Sequence, residues 1–222
     1  MTSSYPALLA FSKLHPSWEF CAISSSGLSG GILLAWNPHR IKVKDFRIVA
    51  GILLKACLQG SSFTLSFLNC YGPYCHHEYF WEAVVQGGFL NLPNLVLAGD
   101  LNLTLNGSEV WGKKALTDPL GPYFTHLFSS HQLIDIAPVY AGPTWRNGRS
   151  GDDGISKRLD RFLLSSSLLD LFPWHSFWAY PSSILDHFPV ILEWKESTSL
   201  CVYPFKFNHF WLANDEFVTL IK

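Results

Sequence analysis

Polar side chains that can take part in chemistry stand where apolar runs of this sequence end. Residues 95–102 read Leu-Val-Leu-Ala-Gly-Asp-Leu-Asn, an apolar run followed by Asp100 and Asn102. If the run is a strand, alternation places Asp100 and Asn102 on one face, so that a carboxylate and an amide are presented together where the strand meets a loop. Glycine, aspartate and asparagine are also common turn formers, and this segment alone is better explained as a turn.

Three further segments repeat this arrangement. Tyr71 follows an apolar run, and Arg158 and Asp160 open another run with an alternation that points both side chains the same way. Asp186 and His187 lead into a third run, and of the nine histidines only His187 follows an aspartate. Taken singly, these segments are explained as an edge-strand tyrosine, a surface ion pair and a polar turn. Taken together, their order and spacing along the chain are the informative signal.

The elements that must position these side chains are short. Apolar runs rich in Val, Ile, Leu, Phe and Trp, separated by turn residues, predict β-strands. The predicted strands cover residues 31–36, 41–49, 62–69, 95–98, 158–164, 176–180 and 190–194. Apolar residues at helical spacing predict helices over 78–87 and 121–131, and a short helix is predicted over 165–171. Strands with helices inserted between them predict an α+β layered domain rather than a regular βαβ repeat.

The composition excludes several classes of protein. Of the 222 residues, 48% are hydrophobic and 15% are charged, and this low charge content excludes disordered and coiled-coil chains. The net charge of -1 means that a nucleic acid would be held by a local basic patch rather than by the field of the whole molecule. No apolar run approaches the roughly 20 residues that span a bilayer, and the first residues lack the basic region of a signal peptide. We therefore expect no membrane partner.

The cysteines predict free thiols. There are five of them, an odd number without the spacing of a disulfide framework, which favours a reducing, intracellular setting that includes the nucleus. Cys70 and Cys75, followed by His76 and His77, would suggest zinc, but no second ligand pair follows at finger-like spacing. Buried or loop thiols are the better explanation.

The order of these segments resembles that of the endonuclease/exonuclease/phosphatase family. That family has a four-layer α/β sandwich of two mainly antiparallel sheets with outer helices. The matching segments, in family order, are residues 69–73 (N-x-Y-x-P), 99–102 (G-D-x-N), 143–145 (P-T-W), 158–163 (R-L-D-x-F-L) and 186–187 (D-H). The resemblance therefore implies an α+β sandwich of this type.

Within the family, the sequence is most similar to the endonuclease domains of plant LINE-type (non-LTR) retrotransposon polyproteins. This similarity rests on residues 29–32 with Trp36, on 144–147 and on 157–163. Residues 204–212 resemble the connector that precedes the reverse transcriptase in those polyproteins. The resemblance thus implies an endonuclease-like domain over residues 1–195, incomplete at its N-terminus, and a connector over 196–222.

The implied activity is Mg²⁺-dependent hydrolysis of a DNA phosphodiester, which nicks the DNA. The resemblance implies that His187 faces the scissile phosphate, while Asp160 orients the other ring nitrogen. Asp100 would manage the proton of the attacking water. Asn102 and Tyr71 would contact a phosphate oxygen, since developing charge on the phosphate needs donors. These five residues are the implied catalytic set.

The metal site is where the sequence departs from the family. Asp186 is the implied magnesium ligand, but the family's first strand, which ends in Asn, and its second, which carries a metal-binding Glu, have no match here. By this resemblance, Met1 corresponds to about the helix that follows those two strands in the family. Glu19 fits an exposed position on a later strand, and Leu185 replaces the Ser of the S-D-H pattern. We therefore expect missing first strands, weak Mg²⁺ binding and exposed sheet edges or apolar surface.

DNA contacts are predicted around the Gly-rich loop over residues 147–157. The candidates are the basic residues Arg146, Arg149, Lys157, Arg158 and Arg161, with Thr144 and Trp145 beside them, Trp145 being available for stacking. The alternative is that these are loop charges offset by Asp152 and Asp153. Two functions remain open from the sequence: a DNA-nicking enzyme impaired by truncation, and a catalytically inactive retroelement remnant or nucleic-acid-binding module. Inositol phosphates fit the same fold but are less favoured as substrates.

Overall fold

The computed structural model describes residues 5–24, 31–48, 50–74, 77–182, 185–195 and 219. The helices are α1 (Tyr5–Leu14), α2 (His77–Gln86), α3 (Gly121–Ser130) and α4 (Ser166–Leu171). The strands are β1 (Glu19–Ile23), β2 (Ile32–Trp36), β3 (Ile41–Ile48), β4 (Ile52–Leu58), β5 (Leu65–Asn69), β6 (Leu95–Asp100), β7 (Val110–Trp111), β8 (Leu133–Asp135), β9 (Trp145–Arg146), β10 (Ser156–Lys157), β11 (Asp160–Ser165), β12 (Trp174–Ala179) and β13 (Val190–Lys195). Apart from residue 219, the predicted connector lies outside the described residues, as do Cys75 and His76 of the zinc alternative.

A six-stranded sheet forms the centre of the molecule, in the order β3-β4-β5-β6-β11-β8. Its pairs are antiparallel except for β5 and β6, which are parallel, and α2 lies in the connection between them. β6 and β11 are antiparallel neighbours whose register places Asp100 opposite Asp160. Two of the predicted acids are therefore side by side at one end of the sheet.

One face of this sheet is covered by α2 and α3. The fully buried Leu68 and Leu97 on β5 and β6 pack in one cluster with Trp81 of α2 and Phe124 of α3. The rings of Trp81 and Phe124 are 5.7 Å apart and meet edge to face. Burial of each such side chain contributes about 1.5–3 kcal/mol, so this cluster fixes the strands whose ends carry the acids.

The opposite face is covered by two separate two-stranded ribbons, β1-β2 and β12-β13. Phe177 of β12 packs with Val96 of the central sheet, and Trp36 of β2 packs with Leu54. α1 lies outside the first ribbon, with ring contacts from Phe11 to the aromatic residues near β1. Helices, sheet, ribbons and outer helix form four layers, which confirms the predicted α+β sandwich.

The strand β4 was not predicted. Its sequence, Ile-Leu-Leu-Lys-Ala-Cys-Leu, is a nearly continuous apolar run because both faces of the strand are covered, and such a run lacks the alternation that identifies a half-buried strand. None of the described residues forms a helix that is long and apolar enough to cross a membrane.

Candidate active site

The chain that leaves β5 runs directly against the end of β6. The amide of Cys70 donates to the carbonyl of Ala98 (2.8 Å), and the amide of Gly72 donates to the carbonyl of Asp100 (2.7 Å). Gly99 has a φ of 129°, and a Cβ there would lie 2.0 Å from the carbonyl oxygen of Cys70. Only glycine permits this approach. Tyr71 is thereby placed beside Asp100 by its backbone, and the residue is 37% exposed.

Asn102 holds the carboxylate of Asp100. β6 ends at Asp100, and the chain then turns through Asn102, whose φ of 51° is left-handed, a conformation that asparagine tolerates. The backbone amide and the side-chain amide of Asn102 donate to the two oxygens of Asp100 at 3.0 and 3.2 Å. The side-chain amide also donates to the carbonyl of Gly72 at 2.8 Å. Asn102 and Asp100 therefore meet through a turn, not through strand alternation.

His187 lies between the two acids of the sheet end. Its Nδ1 is 2.9 Å from Oδ2 of Asp160, and its Nε2 is 3.6 Å from Oδ2 of Asp100. The imidazole is 33% exposed, whereas the side chains of Asp100 and Asp160 are 11% and 13% exposed. The structure thus brings Asp100, Asn102, Asp160 and His187 into one cluster with the imidazole on the solvent side.

The electrostatics of this cluster favour a shared proton. Burial raises the pKa of Asp100 to about 6, and the negative charge of Asp160 adds to this rise. The hydrogen bond to Asp160 raises the pKa of His187 above its usual value, against the opposing effect of burial. A neutral imidazole that donates from Nδ1 would point its Nε2 lone pair at Asp100. A proton on Nε2 of His187 or on Asp100 relieves this repulsion.

The Thr-Trp segment ties the chain around His187 to the start of β11. Thr144 is fully buried, and its hydroxyl oxygen accepts hydrogen bonds from the backbone amides of Leu159 and Asp160, each at 2.9 Å. The indole of Trp145 donates to Asp186 at 3.3 Å. The predicted DNA contact of Thr144 is therefore corrected: a side chain without solvent exposure cannot reach DNA, and Thr144 instead positions Asp160.

Arg158 and Arg161 lie inside the protein. Arg158 is 7% exposed and Arg161 is fully buried. Arg158 pairs with Glu109 at 2.9 Å and with Asp135 at 2.7 Å, and Arg161 pairs with the same two carboxylates. Burial alone would raise the pKa of Glu109, but the hydrogen bond and charge of Arg161 hold it below the usual value. The prediction that Arg158 and Arg161 contact DNA is wrong, as is the prediction that Arg158 points the same way as Asp160.

Sequence reasoning missed Glu109 and Asp135. Two arginines within the predicted strand over residues 158–164 are a signal that carboxylates pair with them if they are buried, because an unpaired buried charge is strongly destabilising. The sequence does not say which carboxylates they are, since Glu109 is 49 residues from Arg158.

The other predicted DNA contacts differ in accessibility. Arg149 is exposed and Lys157 is half-buried. The guanidinium of Arg146 donates to the carbonyl of Ser182 and lies 5.5 Å from the centre of the Phe188 ring. The acids of the loop form ion pairs with two lysines, Asp152 with Lys113 and Asp153 with Lys114. The offset of loop charges by Asp152 and Asp153 thus involves lysines rather than the predicted arginines.

A divalent cation fits the donor set of this cluster. One ligand atom from each of Asp100, Asp160 and His187 can be chosen so that all three lie within 4.8 Å of one another. Asp186 is not part of that group, although its charge raises the pKa values of both Asp100 and His187. Two carboxylates against one imidazole, with the charge of Asp186 nearby, leave an excess of negative charge, which a divalent cation would neutralise.

Comparison with known proteins shows the fold. No protein-family model matches the sequence, and no curated protein matches it significantly. Among solved structures, the chain is similar to a 3'-5' exonuclease (NExo) from Neisseria meningitidis, with a TM-score of 0.60, 16% identity and coverage of 82% of this chain and 81% of that chain. It is similar to the endonuclease domain of TRAS1, a telomere-specific non-LTR retrotransposon, with a TM-score of 0.60, 14% identity and coverage of 88% and 94%. It is also similar to an AP endonuclease from Archaeoglobus fulgidus, with a TM-score of 0.61, 15% identity and coverage of 82% and 80%. The fold is the α/β sandwich of the endonuclease/exonuclease/phosphatase type.

Proposed function

We propose that this chain hydrolyses DNA phosphodiester bonds as a Mg²⁺-dependent nicking endonuclease. The observation that carries the proposal is the position of His187, with one ring nitrogen on Asp160 at 2.9 Å and the other facing Asp100 at 3.6 Å. An imidazole oriented by one buried carboxylate and facing a second is a pair that can hold a proton and release it. The solved nucleases with the same fold support phosphodiester chemistry.

The two members of the pair have different tasks in this proposal. Asp100, with a pKa of about 6, is mostly ionised at neutral pH and accepts a proton from the attacking water. The oxygen of that water forms a bond to phosphorus, and the bond from phosphorus to the leaving sugar oxygen breaks. His187, whose pKa is raised, supplies positive charge or a proton beside the phosphate. Asp160 keeps the imidazole in the required orientation.

Asn102 and Tyr71 are proposed to contact the same phosphate. Both amide hydrogens of Asn102 are engaged, one by Gly72 and one by Asp100, so contact with a phosphate oxygen requires exchange of the longer bond to Asp100. Tyr71 is placed beside Asp100 and is accessible to a ligand. Phosphate binding would therefore exchange one hydrogen bond of Asn102 that already exists.

The proposed cation would be held by the carboxylates of the cluster, with Asp186 as the additional ligand indicated by the sequence. When bound, Mg²⁺ neutralises the charge that develops on the phosphate and lowers the pKa of coordinated water. A cation would compete with existing hydrogen bonds for these ligands, because Asn102 donates to both oxygens of Asp100 and His187 engages Oδ2 of Asp160. We therefore expect weak Mg²⁺ binding and slow cleavage by the 222-residue chain.

DNA and a retroelement origin complete the proposal. Arg149 and Lys157 offer positive charge near the Thr-Trp segment, and contacts of this kind position the phosphate backbone. The likeness to a retrotransposon endonuclease domain supports the retroelement origin. The assignment to a LINE-type element of plants rests on the sequence resemblance alone, including that of residues 204–212 to the polyprotein connector.

A plasmid-nicking assay tests the activity. Supercoiled DNA is incubated with the full chain in Mg²⁺ and in EDTA, and the relaxed form is measured. We expect slow, EDTA-sensitive nicking that His187→Ala abolishes, whereas the matched control His126→Ala, at an exposed histidine, leaves it unchanged. Nicking that survives His187→Ala, or that proceeds equally in EDTA, would refute the proposed site.

The second candidate is DNA binding without hydrolysis. It is favoured by the engaged carboxylate oxygens described above and by Leu185 at the position of the family's Ser. In this case labelled duplex DNA would bind the chain with a strong salt dependence, while no nicking would appear even at high Mg²⁺. Fluorescence anisotropy beside the nicking assay separates the two functions.

A further inference from the structure

An apolar groove separates the two ribbons that cover the outer face of the central sheet. Its volume is about 260 Å³. The floor is formed by side chains of β4 and β5, among them Leu54, Leu65 and Phe67, and the walls include Trp36 of β2 and Trp194 of β13. None of the described residues that line it carries a charge. An apolar surface of this kind inside a layer is normally covered by another element.

The strands on both sides of the groove have open edges. β13 pairs with β12, whose other edge is taken by Val139, since the amide of Val139 donates to the carbonyl of Phe177 at 2.8 Å. The free edge of β13 is therefore the edge away from β12. β2 pairs with β1, and β2 contributes to the groove lining while β1 does not. Within the described ranges, no backbone hydrogen bond leaves these two edges outward.

The packing between the layers continues through the groove. Phe67 of the floor packs both with the cluster under β12-β13 and with the cluster under β1-β2. The interface between the central sheet and its outer layer is thus one apolar surface, covered at both ends and open in the middle. An occupant of the groove extends an interface that the fold already has.

We propose that the groove receives an extended peptide with alternating apolar side chains, which adds as a β-strand to the open edges of β2 and β13. Unpaired backbone groups at a strand edge are a template for another strand. The uncharged floor selects apolar residues at every second position, because alternate side chains of a strand face the same way. A small apolar molecule would fill the floor and leave the strand edges unpaired. A second copy of the chain would have to bring a strand of its own.

Hydrogen exchange with mass spectrometry tests this inference on the full chain. The probe is a capped octapeptide in which valine alternates with threonine and lysine, and its control is the same peptide with proline at the central valine, which breaks strand pairing. We expect the first peptide to slow exchange at least tenfold for the amides of β2 and β13 that face away from β1 and β12, and the proline peptide to have no effect. β3, the edge strand of the central sheet, is the internal control and should not change.

A pair of matched variants localises the effect. Leu58, 51% exposed, lines the groove, whereas Ile48, 61% exposed, does not. Both side chains are accessible, so neither substitution should prevent folding, which circular dichroism verifies. Leu58→Glu should abolish the peptide-dependent protection, and Ile48→Glu should retain it.

Several results would overturn the inference. It would be refuted if the alternating peptide gave no protection of the amides of β2 and β13, if the amides of β3 were protected equally, or if the protection persisted in Leu58→Glu. Binding of an apolar dye in the groove without any effect of the peptide would assign it to a small molecule. Protection in the free chain of the amides of β2 and β13 that face away from β1 and β12 would assign the groove to this chain itself. It would assign the groove to a second copy if that protection and the mass by light scattering rise with protein concentration. The readout does not depend on nuclease activity, so it is independent of the proposed function.

Discussion

Replacing Asp160 with asparagine removes the charge of this carboxylate while nearly preserving its shape. The side chain is 13% exposed and lies 2.9 Å from Nδ1 of His187. The hydrogen bond to Asp160 is the main cause of the raised pKa of His187. In Asp160→Asn the charge of Asp160 and the charge-assisted hydrogen bond are lost while burial still opposes protonation, so the pKa of His187 should fall. The pKa of Asp100 should fall as well, because the charge of Asp160 is one of the causes that raise it.

The magnitude follows from the type of bond that is lost. Hydrogen bonds to charged groups contribute about 1.5–3 kcal/mol, and a neutral amide retains part of this, so the free energy of unfolding should decrease by about 1–2 kcal/mol. A raised imidazole pKa stabilises the folded state fully below its ordinary value of about 6.5 and no longer does so once the pH exceeds the raised value. The loss in the variant should therefore be larger at pH 5.5 than at pH 9. Nicking should decrease at least about 10²-fold, since a misoriented imidazole loses its proton-transfer role.

Two measurements check this prediction. NMR titration of the imidazole protons gives the pKa of His187, which is assigned by comparison with His187→Ala, and urea unfolding at both pH values gives the stability. The control is Asp170→Asn at an exposed aspartate, which should change neither quantity. An unchanged pKa of His187, or a stability loss that is equal at both pH values, would refute the electrostatic coupling.

Three further substitutions test other parts of the site. Asp100→Asn should raise the free energy of unfolding at pH 7 by up to about 3 kcal/mol and abolish nicking, because the pKa of Asp100 is raised from 3.8 to about 6 and each unit corresponds to about 1.36 kcal/mol. In urea unfolding this gain in stability should disappear below about pH 4. A loss of stability at pH 7 would contradict the prediction. Glu109→Gln should destabilise the chain by about 3–5 kcal/mol, because it leaves the buried Arg161 without one of its charged partners; exposed Glu78→Gln is the control, and equal urea midpoints for the two would exclude a structural role of the cluster. Thr144→Val should lower the free energy of unfolding by about 1–3 kcal/mol and slow nicking, because two buried amides lose their acceptor. Thr144→Ser should keep the stability and the nicking rate of the unmodified chain, and failure of serine to do so would point to packing of the methyl group instead.

The part of the site that could be predicted from the sequence is the part encoded by local order. Asp100 and Asp160 stand at the ends of apolar runs, and a sheet brings such ends together, so their proximity to His187 was predictable once the runs were assigned to strands. The strand and helix pattern predicted a layered α+β domain, and the order of the motifs predicted the sandwich type through the resemblance that it carries.

The residues that sequence reasoning misassigned are those whose environment depends on distant partners. Arg158 and Thr144 have polar side chains in a loop-rich segment, which favours a surface interpretation. Their burial depends on Glu109, Asp135 and the amides of β11, contacts that strand periodicity does not contain. Asn102 shows the same limit at short range, since a left-handed turn replaced the alternation assumed for a strand.

Because the segment after β5 packs tightly against β6, the rate at which the thiol of Cys70 reacts reports how often the site opens. This thiol is almost fully buried, and burial raises its pKa to about 12, so an alkylating reagent can modify it only when this segment separates from the strand end that carries Asp100. In a chain whose other four cysteines are replaced by serine, the rate of Cys70 modification therefore reports how often the catalytic end of the sheet comes apart. Nucleic acid or a metal ion that closes the site should slow the modification of Cys70. Ligands can therefore be ranked by this rate without any cleavage taking place.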